Sequence, residues 1–583
     1  MAASSPVRLE EIRVLDGANL YFTRPAVKLT LRVAGLIDAP DDAAVEVARR
    51  AGMGQGDRPG HVRVGSAGSD QRRRFVARLV AHLARSLAAA TETSLAVRSR
   101  PGPEPDQVVL AFPWRHRTAA EAFGNEVPKL LAAARETRRS IDRAVREAAR
   151  RLARVEAGPA PKVPDPTIPV ISVTGTNGKT TVVRLLAHLA RTAGKNVAYS
   201  STDGVYFNDG LVETGDYSGF GGAGLALSQP DVEVAVLETA RGGILLRGIG
   251  TRHNDVAVVT NVSADHLNLH GVRTLDQLAE VKATITRITR PSGWDVLNAD
   301  DPRVLAMRRG IRGRPWLFSL DHEHPAIRST VAERGRATTV IDGWLSVLAG
   351  AAARPLVPLE EVPVTLAGIS SHNIHNAMAA ASAALGIGLG EEFVIEGLRS
   401  FVLDPERNPG RSNLFELDGR IVVVDYAHNE AGMAGLVETC RGLRARGGKI
   451  WLAFSSAGDR SNEILHGLGY LAARGADHVA VTELNRYLRG REQSDLLERL
   501  RAGAVDGGAT DVPAFRDEMH ALKWMLERSR PRDVVALTSL GQRPEIFAFM
   551  EQRRATRVGA DRVRQLAKAA GKAGTRPTSV HRK

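Results

Sequence analysis

The chain has 583 residues, of which 43% are hydrophobic and 25% are charged, and its formal net charge is +14. This length predicts three to four domains, and the composition is that of a folded globular protein rather than a disordered one. It contains no run of about 18 apolar residues and no signal-peptide pattern, which argues against a membrane span and against secretion. The single cysteine, Cys440, excludes an internal disulfide. We therefore expect a cytoplasmic protein in which Cys440 is a buried filler.

Residues 1–128 are predicted to form an α+β N-terminal domain, with a strand-like alternating segment at 27–33 and a helix-like run at 75–88. No glycine-rich dinucleotide motif follows its predicted strands, so no nucleotide is assigned to this region. An Arg-rich helical pattern covers 129–155, and a proline-rich segment at 158–166 interrupts all periodicity. Residues 129–165 are therefore interpreted as a helical connector and linker.

A phosphate-binding loop is predicted next, between an apolar run at 168–173 and an amphipathic run at 182–189. The order strand, glycine loop and helix directs backbone N–H groups and a helix N-terminus into one concavity. Lys179 is placed to reach the β- and γ-phosphates of ATP, and the Thr180 hydroxyl is placed to bind Mg²⁺. Val173 stands where the generic pattern has a glycine, and an ordinary glycine-rich turn is the alternative. The predicted loop residues are Gly175, Thr176, Asn177, Gly178, Lys179, Thr180 and Thr181.

Polar residues follow the next two strand-like runs. Glu238 comes directly after the run at 232–237, and His266 follows the run at 256–259. Parallel strands present such residues at one edge of their sheet, beside the phosphate loop. With Thr180, they predict an oxygen and nitrogen shell for Mg²⁺. His266 taken alone is more typical of a structural histidine.

Residues from about 408 onward predict a further α/β unit, because strand-like runs at 421–424, 450–454 and 534–538 alternate with helical stretches. The chain then becomes strongly basic, since +9 of the net charge of +14 lies at 553–583. We predict that this tail is disordered and acts as a solubilising end, with weak attraction to polyanions as the alternative. Nucleic acid is therefore not an expected partner.

The motifs together resemble the Mur ligase superfamily and, within it, the ligase half of the cyanophycin synthetase family. The segments that carry the resemblance are TGTNGKTT (174–181), LETARGGIL (237–245), VTNVSADH (259–266), LNADDPRV (297–304), SHNIHNAMAA (371–380), NPGRSNLFEL (408–417), DYAHNEAG (425–432) and GDR (458–460), with Lys282 between the third and fourth. The resemblance implies an α/β fold with a central P-loop, parallel-sheet domain at 166–407 and a C-terminal Rossmann-like domain at 408–552. Residues 13–29 resemble the start of the same family. Cyanophycin synthetases carry an ATP-grasp domain where residues 159–169 join the two halves directly, so the resemblance implies that this module is missing.

The resemblance also implies roles for individual residues. Lys179, Glu238, His266, Lys282 and Arg411 are the expected catalytic residues. Thr180, Glu238, His266 and Lys282 are the expected metal-binding residues, and Lys282 is either carbamylated, which makes it an anionic ligand, or a plain cation near phosphates. Beyond the phosphate loop, the expected nucleotide contacts are Asn298, Asp301, Asn373, Asn376, Arg411 and Asp425. A turn is the alternative for 298–301, and a helix cap is the alternative for Asp425.

The implied function is ATP- and Mg²⁺-dependent amide formation through an acyl phosphate, in which arginine or a similar amino acid is added to an acidic peptide or polymer. Asp216 and Glu483 are available to pair with the positive charge of a basic amino-acid donor. The loops at 458–460 and 488–491 resemble the cyanophycin synthetase loops that face this donor. His82 lacks the acidic neighbours of a hydrolytic metal site, so we expect none there. We expect a homo-oligomer. A noncatalytic, regulatory ATP-binding homologue and a peptidoglycan-precursor ligase remain the alternatives.

Overall fold

The computed structural model describes residues 7–53, 63–137, 139–265, 267, 269–350, 352–484 and 486–570. Within these residues the strands form three separate sheets, one for each of three consecutive domains. Each domain has its own buried apolar clusters. None of the helices in the described ranges combines the length and the apolar character that crossing a bilayer requires.

The N-terminal domain is an antiparallel sheet with strand order β1-β2-β4-β3, covered by helices. Its apolar side packs against the long helix α3, whose core-facing positions recur at helical spacing. The element bounds are β1 Arg8–Leu15, β2 Ala26–Arg32, α1 Ala34–Ile37, α2 Asp41–Arg50, α3 Asp70–Ala90, β3 Arg98–Pro101, β4 Gln107–Pro113, α4 Arg117–Glu136 and α5 Asp142–Leu152.

The predicted continuous helix at 129–155 is two helices, α4 and α5, and both belong to the N-terminal domain. Leu130 and Leu131 of α4, and Val145 and Ala148 of α5, are buried in the core of that domain. The predicted domain boundary at residue 128 is therefore wrong, because it falls inside α4 and would expose these side chains. The extended linker between the domains begins after α5.

The N-terminal domain docks on the central domain through backbone hydrogen bonds and through side-chain contacts, among them an ion pair between Asp16 and Arg247 at 2.8 Å. The amides of Asp16 and Gly17 donate to the Arg247 carbonyl at 2.8 and 3.1 Å, and the Ile249 amide donates to the Ala18 carbonyl at 2.7 Å. The backbones approach so closely that a Cβ on Gly17 would lie 1.8 Å from the Ile249 oxygen. Only glycine fits at position 17 unless the two backbone segments, 16–18 and 247–249, move apart; we call this contact the seam between the two domains.

The central domain is built on a mixed sheet with strand order β15-β14-β13-β12-β11-β10-β5-β9-β6-β7-β8. Strands β13 to β6 of this order run parallel, so their carboxyl ends meet at one edge, and β5 lies in the middle. The strand bounds are β5 Val170–Thr174, β6 Val197–Ser201, β7 Gly204–Phe207, β8 Gly210–Thr214, β9 Val234–Glu238, β10 Asn254–Val259, β11 Thr289–Asn298, β12 Arg314–Ser319, β13 Arg336–Ile341, β14 Trp344–Ala349 and β15 Ala352–Pro358.

Helices cover both faces of the central sheet. The alanine-rich helix α12 packs against α6 and the middle strands, since small side chains permit a close approach. The helix bounds are α6 Lys179–Thr192, α7 Phe220–Leu227, α8 Arg241–Leu246, α9 Leu275–Lys282, α10 Pro302–Ala306, α11 Pro325–Ala332, α12 Ser371–Gly386 and α13 Glu391–Ser400.

The C-terminal domain has the strand order β20-β19-β18-β21-β17-β16-β22, with its central strands parallel. Cys440 is buried in α14, as expected, and burial raises the pKa of its thiol. The bounds are β16 Asn413–Leu417, β17 Arg420–Asp425, α14 Glu430–Leu443, β18 Ile450–Phe454, α15 Asn462–Gly475, β19 His478–Thr482, α16 Gln493–Asp506, β20 Ala514–Phe515, α17 Glu518–Arg528, β21 Val534–Thr538, α18 Arg543–Gln552, β22 Thr556–Arg557 and α19 Ala560–Ala569.

The predicted disordered tail from residue 553 is wrong for residues 553–570. Strand β22 pairs with β16, and Val563 and Leu566 of α19 are buried in the core of the C-terminal domain. The many basic residues of α19 led to the prediction of disorder, but the segment is an amphipathic helix whose apolar face packs on α14. The rest of the predicted tail, 571–583, lies outside the described residues.

Candidate active site

The phosphate loop connects β5 to α6 at the carboxyl edge of the central sheet, as predicted. Gly178 lies just before α6 with φ +84°, in the left-handed region that favours glycine. A Cβ on Gly178 would lie 2.2 Å from Oδ1 of Asn376, and one on Gly175 would lie 1.8 Å from Oγ1 of Thr260. Both glycines are therefore required by close contacts as well as by the turn.

Residues that follow β10 hold the loop from below. The Thr176 amide donates to the Asn261 carbonyl, and the Asn177 amide donates to Asn261 Oδ1, both at 2.9 Å. The Thr260 hydroxyl donates to the Asn177 carbonyl at 2.6 Å, and the Thr176 hydroxyl donates to the Ser263 carbonyl at 3.1 Å. The segment at 260–263 thus fixes the loop backbone, a role that the sequence did not predict for it.

Thr180 and Glu238 meet beneath the loop, as the sequence predicted. The Thr180 hydroxyl donates to Glu238 Oε2 at 3.0 Å and lies 3.2 Å from the Thr202 hydroxyl. Glu238 is buried, its Oε1 has no hydrogen-bond partner, and burial raises the pKa of its carboxyl although nearby Lys179 opposes the shift. An unpartnered buried carboxylate oxygen beside two hydroxyls is a donor set that suits Mg²⁺. The residues present therefore fit this metal.

Lys179 lies on the loop with its ammonium turned onto the backbone, where Nζ donates to the Thr176 carbonyl at 2.9 Å. Its charge is close enough to Glu238 to affect the pKa of that carboxyl. A lysine at this position adds a mobile cation to a cradle of backbone donors.

Lys282 reaches the same loop from the end of α9. Its Nζ donates to the Gly175 carbonyl at 2.6 Å, and the residue is only 3% exposed. Burial, followed by the positive charge of Lys179, lowers its pKa well below the usual lysine value. Burial therefore shifts the balance towards the neutral amine, which is the form that reacts with carbon dioxide.

His266 lies outside the described residues. In the ranges that the structure does describe, no group of three or more His, Cys, Asp or Glu side chains is arranged to hold a metal ion. Glu238, Thr180 and Lys282 are brought to one loop, whereas the predicted histidine ligand stays a prediction.

Asn298 and Asp301 support the segment at 260–263. Asn298 Nδ2 donates to the Thr260 carbonyl at 2.8 Å. Asp301 accepts from the Val262 amide at 2.6 Å and caps α10 by accepting from the amides of Arg303 and Val304. These contacts correspond to the turn interpretation of 298–301, and a direct nucleotide contact stays a prediction.

Asn373 and Asn376 share a face of α12, as their spacing predicted. Both are buried, and Asn376 Nδ2 donates to Asn373 Oδ1 at 3.0 Å. The amide of Asn376 therefore has a fixed position against Gly178, and it closes one side of the loop.

The C-terminal domain brings Arg411 towards the central domain. The Arg411 guanidinium carbon lies 4.2 Å from the centre of the Tyr426 ring, a cation–π contact that the sequence did not suggest. Asp425 accepts from the amide and hydroxyl of Ser412 at 2.8 and 3.1 Å, so it holds the residue that follows Arg411. The helix cap considered for Asp425 is wrong, because Asn429 caps α14, and a nucleotide contact of Asp425 stays a prediction.

One ion pair, between Asp203 and Arg543, and one amide pair join the domains near the loop, whereas the pair of Asp203 with Arg184 lies within the central domain. Asp203 pairs with Arg184 at 3.2 Å and with Arg543, from α18, at 3.0 Å. Asn177 Nδ2 donates to Asn429 Oδ1 at 3.1 Å, and Asn429 Nδ2 donates to Asn177 Oδ1 at 2.9 Å. Thr202 and Asp203 follow β6 at the same edge as Glu238, so the rule that found Glu238 would also have found them.

Of the two loops predicted to face the donor, the loop at 458–460 contacts the central domain, and the loop at 488–491 packs against that first loop. Arg460 pairs with Asp265 at 2.6 Å and with Asp459 at 3.1 Å, and Arg491 Nε donates to the Gly458 carbonyl at 2.8 Å. Of the two acidic residues proposed for the donor, Asp216 accepts from the Ser218 amide and hydroxyl. Glu483 follows β19 in the C-terminal domain. A role in donor binding stays a prediction for both.

Comparison with known proteins gives matches over both ligase-like domains. Residues 173–384 match the Mur ligase middle domain, and residues 410–541 match the Mur ligase, glutamate ligase domain. The chain is 40% identical over 372 residues to cyanophycin synthetase from Synechocystis sp., and this alignment covers 64% of this chain and 42% of that protein. It is 30% identical over 450 residues to UDP-N-acetylmuramoyl-L-alanyl-D-glutamate--2,6-diaminopimelate ligase from Alkalilimnicola ehrlichii, which covers 75% of this chain and 80% of that protein.

The match therefore spans about two fifths of the length of the cyanophycin synthetases. Among solved structures, E. coli FolC in complex with DHPP and ADP superposes with a TM-score of 0.50 at 19% identity, over 67% of this chain and 90% of that one. A likeness at this identity shows a shared fold. The α/β fold class expected from the motifs is confirmed.

Proposed function

Because the chain belongs to the Mur ligase family, as its motifs indicated, we propose that it joins a carboxylate to an amine with ATP through an acyl phosphate. The observation that carries the proposal is the Thr180–Glu238 pair under the phosphate loop, with the buried, unpartnered Glu238 oxygen beside it. Burying an unpaired carboxylate oxygen costs free energy, and a bound metal ion would offset that cost. A protein that binds no nucleotide and no metal would gain nothing from such an oxygen.

In this reaction the protein stabilises the negative charge of the phosphates and positions the reacting groups. Thr180 and Glu238 would hold Mg²⁺, which would neutralise part of the negative charge of the ATP phosphates. Lys179 is placed to stabilise negative charge on the transferred phosphoryl group, and Arg411 approaches from the other domain. Lys282 lies at the back of the loop, and we propose that its carbamate supplies a further oxygen ligand. The carbamate fits the lowered pKa of the amine.

For the substrates, we propose that a single amino acid, arginine or another basic one, is added to a preformed acidic peptide or polymer. The identity of about 40% to cyanophycin synthetases over the ligase part supports this choice. The short linker after α5 supports the addition of one kind of amino acid rather than two different additions in turn. Residues 153–169 connect the N-terminal and central domains directly. One phosphate loop provides one place to make acyl phosphate. Cytoplasmic location and a homo-oligomer stay predictions.

The test is to incubate the protein with ATP, Mg²⁺ and arginine, with either free aspartate or an aspartate-containing peptide, and to identify the products by mass. We expect the peptide to gain one donor mass per reactive carboxylate, with ADP released in equal amount, and free aspartate to give no polymer. Lys179→Ala should abolish ADP formation while the fold is retained, because this side chain contacts only the loop backbone among its described contacts. Polymer made without an acceptor would contradict the single-addition proposal. ADP release without a covalent product from any acceptor would favour the regulatory alternative.

A further inference from the structure

The amide pair between Asn177 and Asn429 joins the tip of the phosphate loop to the start of α14 in the other domain. Asn429 is completely buried, and its Oδ1 also caps α14 by accepting from the Gly432 amide at 2.9 Å. A backbone N–H can only donate, so Oδ1 of Asn429 must face it, and this requirement fixes the orientation of both amides. The pair is thus two hydrogen bonds of defined direction.

Asn177 is held equally firmly on its own side. Its amide and its carbonyl are bound by Asn261 and Thr260, which follow β10 of the central sheet. The side-chain pair therefore does not tether a loose loop. It sets the position of one rigid element, the start of α14, relative to another, the phosphate loop.

The segment that ends at Asn429 also carries the surroundings of Arg411. It begins at the end of β17 with Asp425, which holds Ser412, and continues with Tyr426, whose ring lies under the Arg411 guanidinium. Tyr426 and Asn429 are three positions apart. A displacement of Asn429 from Asn177 would therefore move Arg411 away from Lys179 and the loop.

We propose that Asn429 is a positioning residue that, through Asn177, holds the C-terminal domain where Arg411 faces the phosphate loop. The kinetic part of this proposal rests on the proposed function. The cradle of loop amides, Lys179 and Thr180 belongs to the central domain and binds ATP with or without the pair. Arg411 and Lys179 must act on one phosphoryl group only in the transition state, so loss of the pair should lower kcat more than it changes the KM for ATP.

The decisive variant is Asn429→Ser, because serine keeps a good helix cap for α14 but is too short to reach Asn177. We expect kcat to fall about tenfold or more, the factor that corresponds to about 1.4 kcal/mol, while the KM for ATP stays within about twofold. Asn177→Ala should give the same effect, and the double variant should be no slower than the slower single one, because both changes remove the same interaction. The matched control is Ser371→Ala, which removes a 2.7 Å hydrogen bond to Glu438 of the same helix α14, away from the loop.

A second measurement separates this proposal from the ligase proposal. Small-angle X-ray scattering with a nonhydrolysable ATP analogue and Mg²⁺ reports the domain arrangement without any turnover. We expect the Asn429→Ser protein to have a larger radius of gyration than the wild type and the Ser371→Ala protein to match the wild type. If the wild type forms no product with any acceptor, the ligase proposal fails, and the scattering result still decides on the pair. An unchanged radius of gyration in Asn429→Ser, or multiplicative losses of kcat in the double variant, would overturn the positioning role.

Discussion

Replacement of Gly178 by alanine should damage both the stability of the central domain and its binding of ATP. Alanine at φ +84° costs about 1–2 kcal/mol, because its Cβ crowds the following carbonyl. The same Cβ would lie 2.2 Å from Oδ1 of Asn376, so that side chain must move and lose its hydrogen bond with Asn373. Disturbing a buried amide in this way costs about 1–3 kcal/mol more.

The same helix supplies a matched control. Gly194 lies just past the other end of α6 with φ +71°, and a Cβ there would meet nothing within 4 Å. Gly194→Ala should therefore cost only the conformational part, about 1–2 kcal/mol, whereas Gly178→Ala should cost about 2–5 kcal/mol in total. The difference between the two variants measures the displacement of Asn376.

The assay combines thermal unfolding with titration of a fluorescent ATP analogue. A destabilisation of 1 kcal/mol lowers the Tm of a domain of this size by about 2–4 °C, so the two variants should be distinguishable. ATP affinity should fall at least about tenfold in Gly178→Ala, since the loop amides shift, and should be unchanged in Gly194→Ala. Equal Tm values in the two variants, together with wild-type ATP affinity in Gly178→Ala, would refute the reasoning from Asn376.

Three further predictions follow from single contacts. Lys282→Ala should lose activity and regain part of it when short carboxylates such as acetate are added, if the carbamate acts as an anion; rescue by alkylamines would show instead that the cation matters. Tyr426→Phe should keep most of kcat, and Tyr426→Leu should lower it about two- to fivefold, because phenylalanine keeps and leucine lacks the aromatic ring that contacts Arg411, and equal rates in the two variants would argue against the cation–π contact. Burial raises the pKa of Asp295 to about 7, so its contribution to stability is complete below about pH 4 and is lost as the pH rises through 7. The free energy of unfolding, measured from pH 5 to 8, should therefore fall more steeply for the wild type than for Asp295→Asn, and parallel curves would contradict this.

The sequence predicted those parts of the site that depend on local order along the chain. The strand, loop and helix around Lys179 follow from glycine spacing and periodicity, and Glu238 follows from its place after a buried strand. Each of these two signals comes from residues that are neighbours along the chain, where local backbone geometry decides the outcome. The same reasoning correctly placed the central strands of the C-terminal domain.

What the sequence did not predict depends on partners far away along the chain. Asn429 precedes a helix and has the pattern of an N-cap, yet its second partner, Asn177, is 252 residues earlier. The burial of α19 was missed because its charges dominate its composition, while its few apolar residues face α14. For Asp301 the family resemblance implied a nucleotide contact, which stays a prediction, and its cap on α10 became visible only in the structure.

The seam between the N-terminal and central domains has a consequence for how such proteins diverge. Its backbone hydrogen bonds run between main-chain groups of residues 16–18 and 247–249, and these groups are the same whichever side chains they carry, while the Asp16–Arg247 ion pair adds a side-chain contact between the same segments. Substitutions can therefore accumulate at other positions of both segments while the backbone hydrogen bonds are kept, as long as the two facing positions 17 and 248 stay glycine. Distant relatives would then keep this arrangement after their N-terminal sequences have lost all detectable similarity, and the two facing glycines, one ahead of the second strand and one at position 248, would be the remaining trace.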